Sequence, residues 1–350
     1  MTKLTDSLPI STERGVSIDI GRKFYSPNFL KDLLDYMASL KMNALQLHFS
    51  DNEGFRIECE TVPALTSSHY LSKIEIKELI TYAKQLGIEI IPEFDSPGHL
   101  KRLLSIYPEW QMERLGEDSD VFPSNRAIDI TNQLAVNKIK EIIKEYLELF
   151  HDSHYFHLGA DEYISFDELD RYPQLARKAE EIYQNPDRTY DLFIDYINDL
   201  ATLVESTGKT ARIWNDGVYK KNQKAESGLK KSIQITYWTN YNAQMADVQT
   251  FFEEGHQVLN FNDNYFYFVL GEGAGYRYPT GDKIKKEWKP TIFSGNQQIT
   301  EEQLTKVPGT YFAIWCDFPD ALTEEEVLQM IKEPLKVQQT MLWNDQLATK

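Results

Sequence analysis

The sequence predicts an α/β protein built as a (β/α)8 TIM barrel. Eight short β-rich runs alternate with mostly helical stretches, which is the pattern of a sheet closed by crossover helices. The first run is followed by "DIGRKFYS", with a single glycine. A doubly wound sheet would share the alternation, but it usually has fewer strands and often carries a glycine-rich phosphate loop at that point. The length of 350 residues is normal for one barrel with insertions. Residues 1–12 read as an N-terminal extension and residues 13–350 as the barrel.

The runs follow in order. "GVSIDI" (15–20) precedes "PNFLKDLLDYMASLK", where Leu30, Leu33, Leu34 and Met37 mark one helical face. "NALQLHF" (43–49) precedes "KIEIKELITYAKQLG", which stops at Gly87 as helices often do. "IEIIPEF" (88–94) leads through a long irregular stretch to the helix "QLAVNKIKEIIKEYLELF" (133–150). "HYFHLG" (154–159) is followed by a helix-rich segment to about Thr207. The last four runs are "TARIWN" (210–215), "SIQITYW" (232–238), "QVLNFN" (257–262) and "TYFAIWC" (310–316). A final helix begins near "LTEEEVLQMI", with Thr323 and Glu326 as a capping box. The charge run at 220–231 reads as a solvated loop or helix.

Composition narrows the partners. A formal net charge of −17 argues against nucleic acid and anionic membranes, which need a basic face. The sequence holds neither a long apolar span nor an apolar leader in "MTKLTDSLPISTERG", so the reading is a cytoplasmic protein that engages no membrane. Cys59 and Cys316 form no CxxC pair and read as two buried thiols. Aromatics make up 13% of the chain, more than a core alone usually needs.

In a barrel the chemistry sits where the βα loops converge, at the C-terminal ends of the strands. His48, Glu93, Asp95, the pair Asp161 and Glu162, Trp214, Asp216, Trp238, Trp315 and Asp317 all fall there. Acids among tryptophans suit a sugar, whose C–H faces stack on indoles while its hydroxyls take charged partners. Two carboxyls on a rim suit glycoside cleavage, but the usual pair stands about 5–10 Å apart across the bond. Adjacent residues cannot straddle it, so Asp161 and Glu162 must do different jobs.

"HLGADE" resembles the signature of family-20 glycoside hydrolases, the β-N-acetylhexosaminidases. "RGVSIDIGRKF", "LHFSDNEGFRIE" and "PEFDSPGH" resemble that family's first three strand motifs, in order. The resemblance implies a retaining exo-β-N-acetylhexosaminidase that removes terminal β-linked GlcNAc, with GalNAc as an open second substrate. It implies substrate-assisted catalysis, in which the sugar's 2-acetamido oxygen attacks the anomeric carbon and forms an oxazolinium. Glu162 would be the general acid and base, Asp161 would hold the acetamido N–H, and Tyr265 would donate to the acetamido oxygen. Arg14 would grip the 3- and 4-hydroxyls. Asp51 and His99 would lie near the acid, Trp214, Trp238 and Trp315 would wall the ring and its methyl, and Asp317 would contact the 4- and 6-hydroxyls where the family commonly has glutamate. An ionised Asp161 is expected to raise the pKa of Glu162.

Strand seven departs from the family's tyrosine, leucine, aspartate. In "NFNDNYFYF", Tyr265 aligns with the tyrosine and Tyr267 with the aspartate, whose role Asp263 or Asn264 could fill. No cofactor and no metal are implied. The partner is a glycan ending in β-N-acetylhexosamine, and a homodimer stays open. Two other classes are weighed: a metal-dependent barrel hydrolase using His48, His99 and His157, which lacks the tight HxH or HExxH spacing of zinc sites, and a sugar-binding barrel without turnover, which would need no proton donor. His157 reads as a satisfied core histidine and His48 as a residue ordering the loop to Asp51. Trp110, Trp288 and Trp343 read as packing.

Overall fold

The computed structural model describes residues 9–343, so the first eight residues of the expected N-terminal extension and the last seven of the chain lie outside it. The strands are β1 (Glu13–Asp19), β2 (Ala44–His48), β3 (Glu89–Ser96), β4 (Tyr155–Gly159), β5 (Thr210–Trp214), β6 (Gln234–Tyr237), β7 (Val258–Asn260), β8 (Tyr267–Val269), β9 (Ile292–Phe293), β10 (Gln297–Gln298) and β11 (Gly309–Trp315). Strands β1 to β7 pair in chain order, β7 pairs with β11, and β11 pairs back to β1 with Glu13 opposite Gly309. All these pairings are parallel. The sheet is therefore the expected closed eight-stave barrel, and closure removes its edges. Strands β9 and β10 form a separate antiparallel ribbon.

The helices are α1 (Pro27–Ser39), α2 (Lys73–Gln85), α3 (Lys101–Ile106), α4 (Gln133–Leu149), α5 (Pro173–Tyr183), α6 (Thr189–Glu205), α7 (Val248–Glu253), α8 (Asp263–Phe266), α9 (Gly281–Glu287), α10 (Glu301–Leu304) and α11 (Glu324–Met341). Local sequence fixes their starts. The Ser26 side chain accepts from the Phe29 N–H with Pro27 in the first turn, and α1 then buries Leu30, Leu33, Leu34 and Met37. Capping boxes open α2 at Ser72 and Glu75 and α11 at Thr323 and Glu326. The charge run at 220–231 is a half-exposed loop anchored by buried Leu229, and no helix joins β5 to β6. Among the described residues no helix is long and apolar enough to cross a membrane.

A polar cluster closes the N-terminal end of the barrel. Arg212 donates to both oxygens of Glu13 (2.7 and 2.9 Å), Tyr311 donates to Glu13 (2.6 Å), and the guanidinium lies 3.5 Å over the Tyr155 ring. Gly15 makes room for it, because a Cβ there would stand 2.1 Å from the Tyr311 ring. With that end filled, the open end is the rim formed by the strands' C-termini.

The seventh stave is broken. After β7 the chain makes the single helical turn α8 and then resumes as β8, which pairs with β11 through Tyr267 opposite Ala313. This turn decides which residues of that stave face the barrel interior.

Candidate active site

A cavity of about 490 Å³ opens at that rim. Its lining includes His99, Asp161, Glu162, Trp214, Trp238, Trp315 and Asp317, together with Arg22, Tyr267 and Tyr276. Asp51 stands behind the wall rather than in it.

The turn after β4 is shaped by unusual backbone. Gly159, Ala160 and Glu162 have φ of +70°, +72° and +46°, and His99 opposite has +54°. Three of these are not glycine, and such strain is held only where surroundings impose it. Here Asp95 accepts from the Ala160 N–H at 3.2 Å, and Asp216 accepts from the Glu162 N–H at 2.9 Å. Gly159 has a second reason to lack a side chain: a Cβ would lie 1.8 Å from Asp95 Oδ1.

Asp161 and Glu162 converge on one imidazole. His99 Nε2 lies 3.5 Å from Asp161 Oδ2 and 3.3 Å from Glu162 Oε2, while Nδ1 faces Asp51 at 3.2 Å. Burial alone would lower the His99 pKa, and so would nearby Arg126, but Asp51 and Asp161 outweigh both and push it up to about 9. A guanidinium N–H of Arg126 also points at Nε2 from 2.9 Å, which a neutral ring would accept; with three carboxylates around it we assign the imidazolium.

The same Arg126 Nη2 reaches Glu162 Oε2 at 3.1 Å and the Glu162 carbonyl at 3.0 Å. Burial would raise Glu162, but His99 and Arg126 bring it down to about 2. The expected rise caused by Asp161 is therefore reversed, because His99 and Arg126 stand 3.3 and 3.1 Å from Glu162 Oε2, contacts that the sequence could not show. Asp161 itself is raised, by burial and by Glu162, against the pull of His99. Asp216, buried beside Asp161, is pushed up to about 7 even though it accepts from Trp238 Nε1 at 3.0 Å.

Aromatic walls complete the cavity. Trp214 is buried and donates to Glu93 at 2.7 Å. Trp238 and Tyr267 lie parallel with centroids 5.7 Å apart, and Trp315 lies 5.8 Å from both Trp214 and Tyr267. Asp161 Oδ1 and Trp315 Nε1 are buried without a hydrogen-bond partner. Behind the wall the Asp95 carboxyl stands against Asp161, and burial together with Asp161 raises the Asp95 pKa, so a proton held on Asp95 keeps Asp161 ionised.

Two assignments are corrected. Arg14 is the second residue of β1 and belongs to the closed end: it donates to the carbonyls of Lys41, Ser11 and Thr12 and stacks on Trp343. The same motif's later arginine, Arg22, sits past the strand's C-terminal end and lines the cavity, on the order of 20 Å further along the strand. Arg22 pairs with Asp19 and Asp51 at 2.9 Å each and lies 5.8 Å over Trp315. Tyr265 is on α8, outside the cavity, with its hydroxyl on Asn296 at 3.2 Å. The helical turn carries it off the inner face and brings in Tyr267 and, two residues on, Val269.

Val269 is apolar where the family pattern places aspartate. The acid of this stave is Asp263, which accepts from Thr239 Oγ1 and from the hydroxyl of cavity-lining Tyr276, at 3.0 Å each. Asn264 accepts from the Gly295 N–H instead. Asp51 takes a supporting place: buried, it accepts from His48 Nε2 at 2.8 Å as well as from Arg22 and His99. His48 orders that loop and also faces Glu93 at 3.2 Å. His157 is satisfied within the core by Thr236 and the Gly159 N–H.

Asp95, His99 and Asp161 each offer a ligand atom within 4.8 Å of the others. This is one nitrogen and two oxygens, not the paired histidines of a zinc site. His99 already faces carboxylates from both ring nitrogens.

Comparison with known proteins follows the same lines. Residues 13–331 match the family described as glycosyl hydrolase family 20, catalytic domain. A lacto-N-biosidase of Bifidobacterium bifidum is 32% identical over 96% of this chain and 29% of its own length, and beta-hexosaminidase subunit A2 of Dictyostelium discoideum is 28% identical over 79% and 48%. The chain thus spans less than half the length of these relatives. Among solved structures, dispersin B superposes with a TM-score of 0.75 at 24% identity, covering 95% of this chain and 99% of that one. An exo beta-N-acetylglucosaminidase of Vibrio harveyi gives 0.79 at 20%, covering 98% and 56%. Such likenesses establish the fold, and the family match over nearly the whole chain goes further: the chain belongs to glycosyl hydrolase family 20.

Proposed function

We propose that the chain is a retaining exo-β-N-acetylhexosaminidase acting on glycans that end in β-linked GlcNAc, with GalNAc as a second substrate. The observation that carries this is the pair Asp161 and Glu162, with His99 Nε2 3.5 and 3.3 Å from their carboxylates, in a cavity walled by three tryptophans and Tyr267. An acetamido N–H donates to the Asp161 carboxylate, and the methyl enters the aromatic walls. The acetamido oxygen attacks the anomeric carbon, the glycosidic C–O bond breaks, and the leaving oxygen takes the Glu162 proton. Water then attacks the anomeric carbon, its bond to the acetamido oxygen breaks to restore the acetamide, and Glu162 takes a proton back from that water. Asp161, ionised, offsets the charge on the oxazolinium nitrogen. Tyr267 and Arg22 take the roles first given to Tyr265 and Arg14. Arg126 and His99 favour the ionised form of Glu162, so delivery of its proton to the leaving oxygen is coupled to loosening of that pairing.

The test is turnover of aryl β-glycosides of GlcNAc, GalNAc and glucose. Cleavage of the first two and not the third makes the acetamido group essential; equal cleavage of glucose sinks the substrate-assisted route. An aryl lacto-N-bioside asks whether the chain shares the activity its Bifidobacterium relative is named for. Activity that survives EDTA rules against metal-dependent hydrolysis at Asp95, His99 and Asp161.

A further inference from the structure

A second cavity, of about 410 Å³, adjoins the first. Glu162, Asp216 and Tyr241 line both, whereas Arg22, Asp317 and the walls Trp214 and Trp315 line only the first. The second cavity therefore begins at the acid and runs away from the sugar-gripping groups. Its far wall comes from the loop before α4, through Ser119, Val121 and Phe122.

The chemistry of this wall is unlike that of a buried gap. Val121 and Tyr241 line it with large side chains left 67% and 61% exposed, so both are open to contact from solvent. The Tyr241 ring meets Trp238 edge-on at 6.1 Å, so its outer face is free for a ligand. Phe122 is pinned from behind by the Arg126 guanidinium at 5.9 Å. Around these apolar faces stand an alcohol, an amide, two acids and an amine, from Ser119, Asn242, Asp167, Glu168 and Lys220. Glu162, Asp167, Glu168 and Asp216 outnumber Lys220 in this lining, which turns away anionic sugars, and aromatic faces edged by such hydrogen-bonding groups fit an uncharged pyranose chain.

Resting on the hexosaminidase reading, we propose that this cavity is a leaving-group groove that binds the sugars on the reducing side of the scissile bond, so that the chain prefers an oligosaccharide over a short glycoside. The acid must face the leaving oxygen, so the leaving sugars extend from Glu162, and this cavity is the enclosed space that continues from Glu162 beyond the first. Binding energy gained there, away from the reacting atoms, can be spent on orienting the scissile bond.

The test compares kcat/KM on aryl GlcNAc, on a β-linked GlcNAc disaccharide and on the corresponding tetrasaccharide, in the wild-type chain and in Val121→Trp. The substitution is on an exposed side chain and fills the groove without touching the first cavity. The proposal expects roughly a tenfold gain from disaccharide to tetrasaccharide, loss of that gain in Val121→Trp, and aryl turnover within about twofold of wild type. Length-independent rates with normal aryl turnover overturn the groove alone. Absence of aryl turnover in the wild-type chain sinks the hexosaminidase reading and the groove with it. A retained length gain in Val121→Trp also overturns the assignment, because the blocked cavity would then not be where the leaving sugars lie.

Discussion

Arg126 Nη2 stands 3.1 Å from Glu162 Oε2 and 3.0 Å from the Glu162 carbonyl oxygen. One guanidinium thus holds both the backbone of a strained residue and its carboxylate. Removing it in Arg126→Gln takes away a cation that keeps Glu162 down at about 2, so the Glu162 pKa rises. A general acid works only while protonated, so the alkaline limb of the kcat/KM profile moves to higher pH. A fall in kcat without movement of that limb would mean that Arg126 only shapes the turn.

The two adjacent acids separate by kinetics. Glu162→Gln keeps shape and hydrogen bonding but has no proton to give, and turnover on aryl GlcNAc falls by roughly 10² to 10⁴, with sugar binding largely kept. Asp161→Asn leaves no charge to offset the oxazolinium, so a thiazoline mimic of that intermediate, tight on the wild-type chain, binds weakly. Little loss in either variant, read by steady-state rates and by competition, would remove the corresponding assignment.

Much of this was legible because strand order and strand ends are written in period and punctuation. The eight runs, the caps at Thr323 and Glu326, and the gathering of Asp161, Glu162, His99, Trp214, Trp238, Trp315 and Asp317 at one rim all follow from them. Two failures have one physical origin, which is that a motif does not state its depth along the barrel. "RGVSIDIGRKF" carries arginines at both ends of β1, and only the strand's direction tells Arg22 from Arg14. The α8 turn interrupts strand seven and resets which side chains point inward, so an alignment that assumes a continuous strand picks Tyr265 over Tyr267. Arg126 and the pairing that inverts the Glu162 pKa come from a loop distant in sequence, which no local pattern marks.

The arginine correction gives a paired test. Arg22→Lys keeps the charge but loses the planar fork, and kcat/KM falls by about 10- to 100-fold, the worth of a charge-assisted hydrogen bond or two. Arg14→Lys leaves kcat/KM within about twofold and lowers the thermal midpoint instead, since its three carbonyl acceptors hold the barrel's closed end. The reverse result would restore the first assignment.

The tyrosines separate in the same way. Tyr267→Phe removes a hydroxyl from the cavity wall and lowers kcat on aryl GlcNAc by roughly tenfold or more, while Tyr265→Phe changes it by less than about twofold. Measuring both on GlcNAc and GalNAc substrates guards against a loss that is only a change of epimer preference.

Gly159 offers a test of stability joined to function. Its φ of +70° costs another residue about 1–2 kcal/mol, and a methyl group there would strike Asp95 Oδ1 at 1.8 Å. Asp95 cannot simply retreat, because its oxygen accepts from the Ala160 N–H and so fixes the turn that presents Asp161 and Glu162. Gly159→Ala is therefore expected to lower the denaturation midpoint by more than the backbone term alone and to lose turnover in whatever fraction stays folded. If the variant folds normally and keeps its rate, the Asp95 contact is not what sets the geometry of the acid pair.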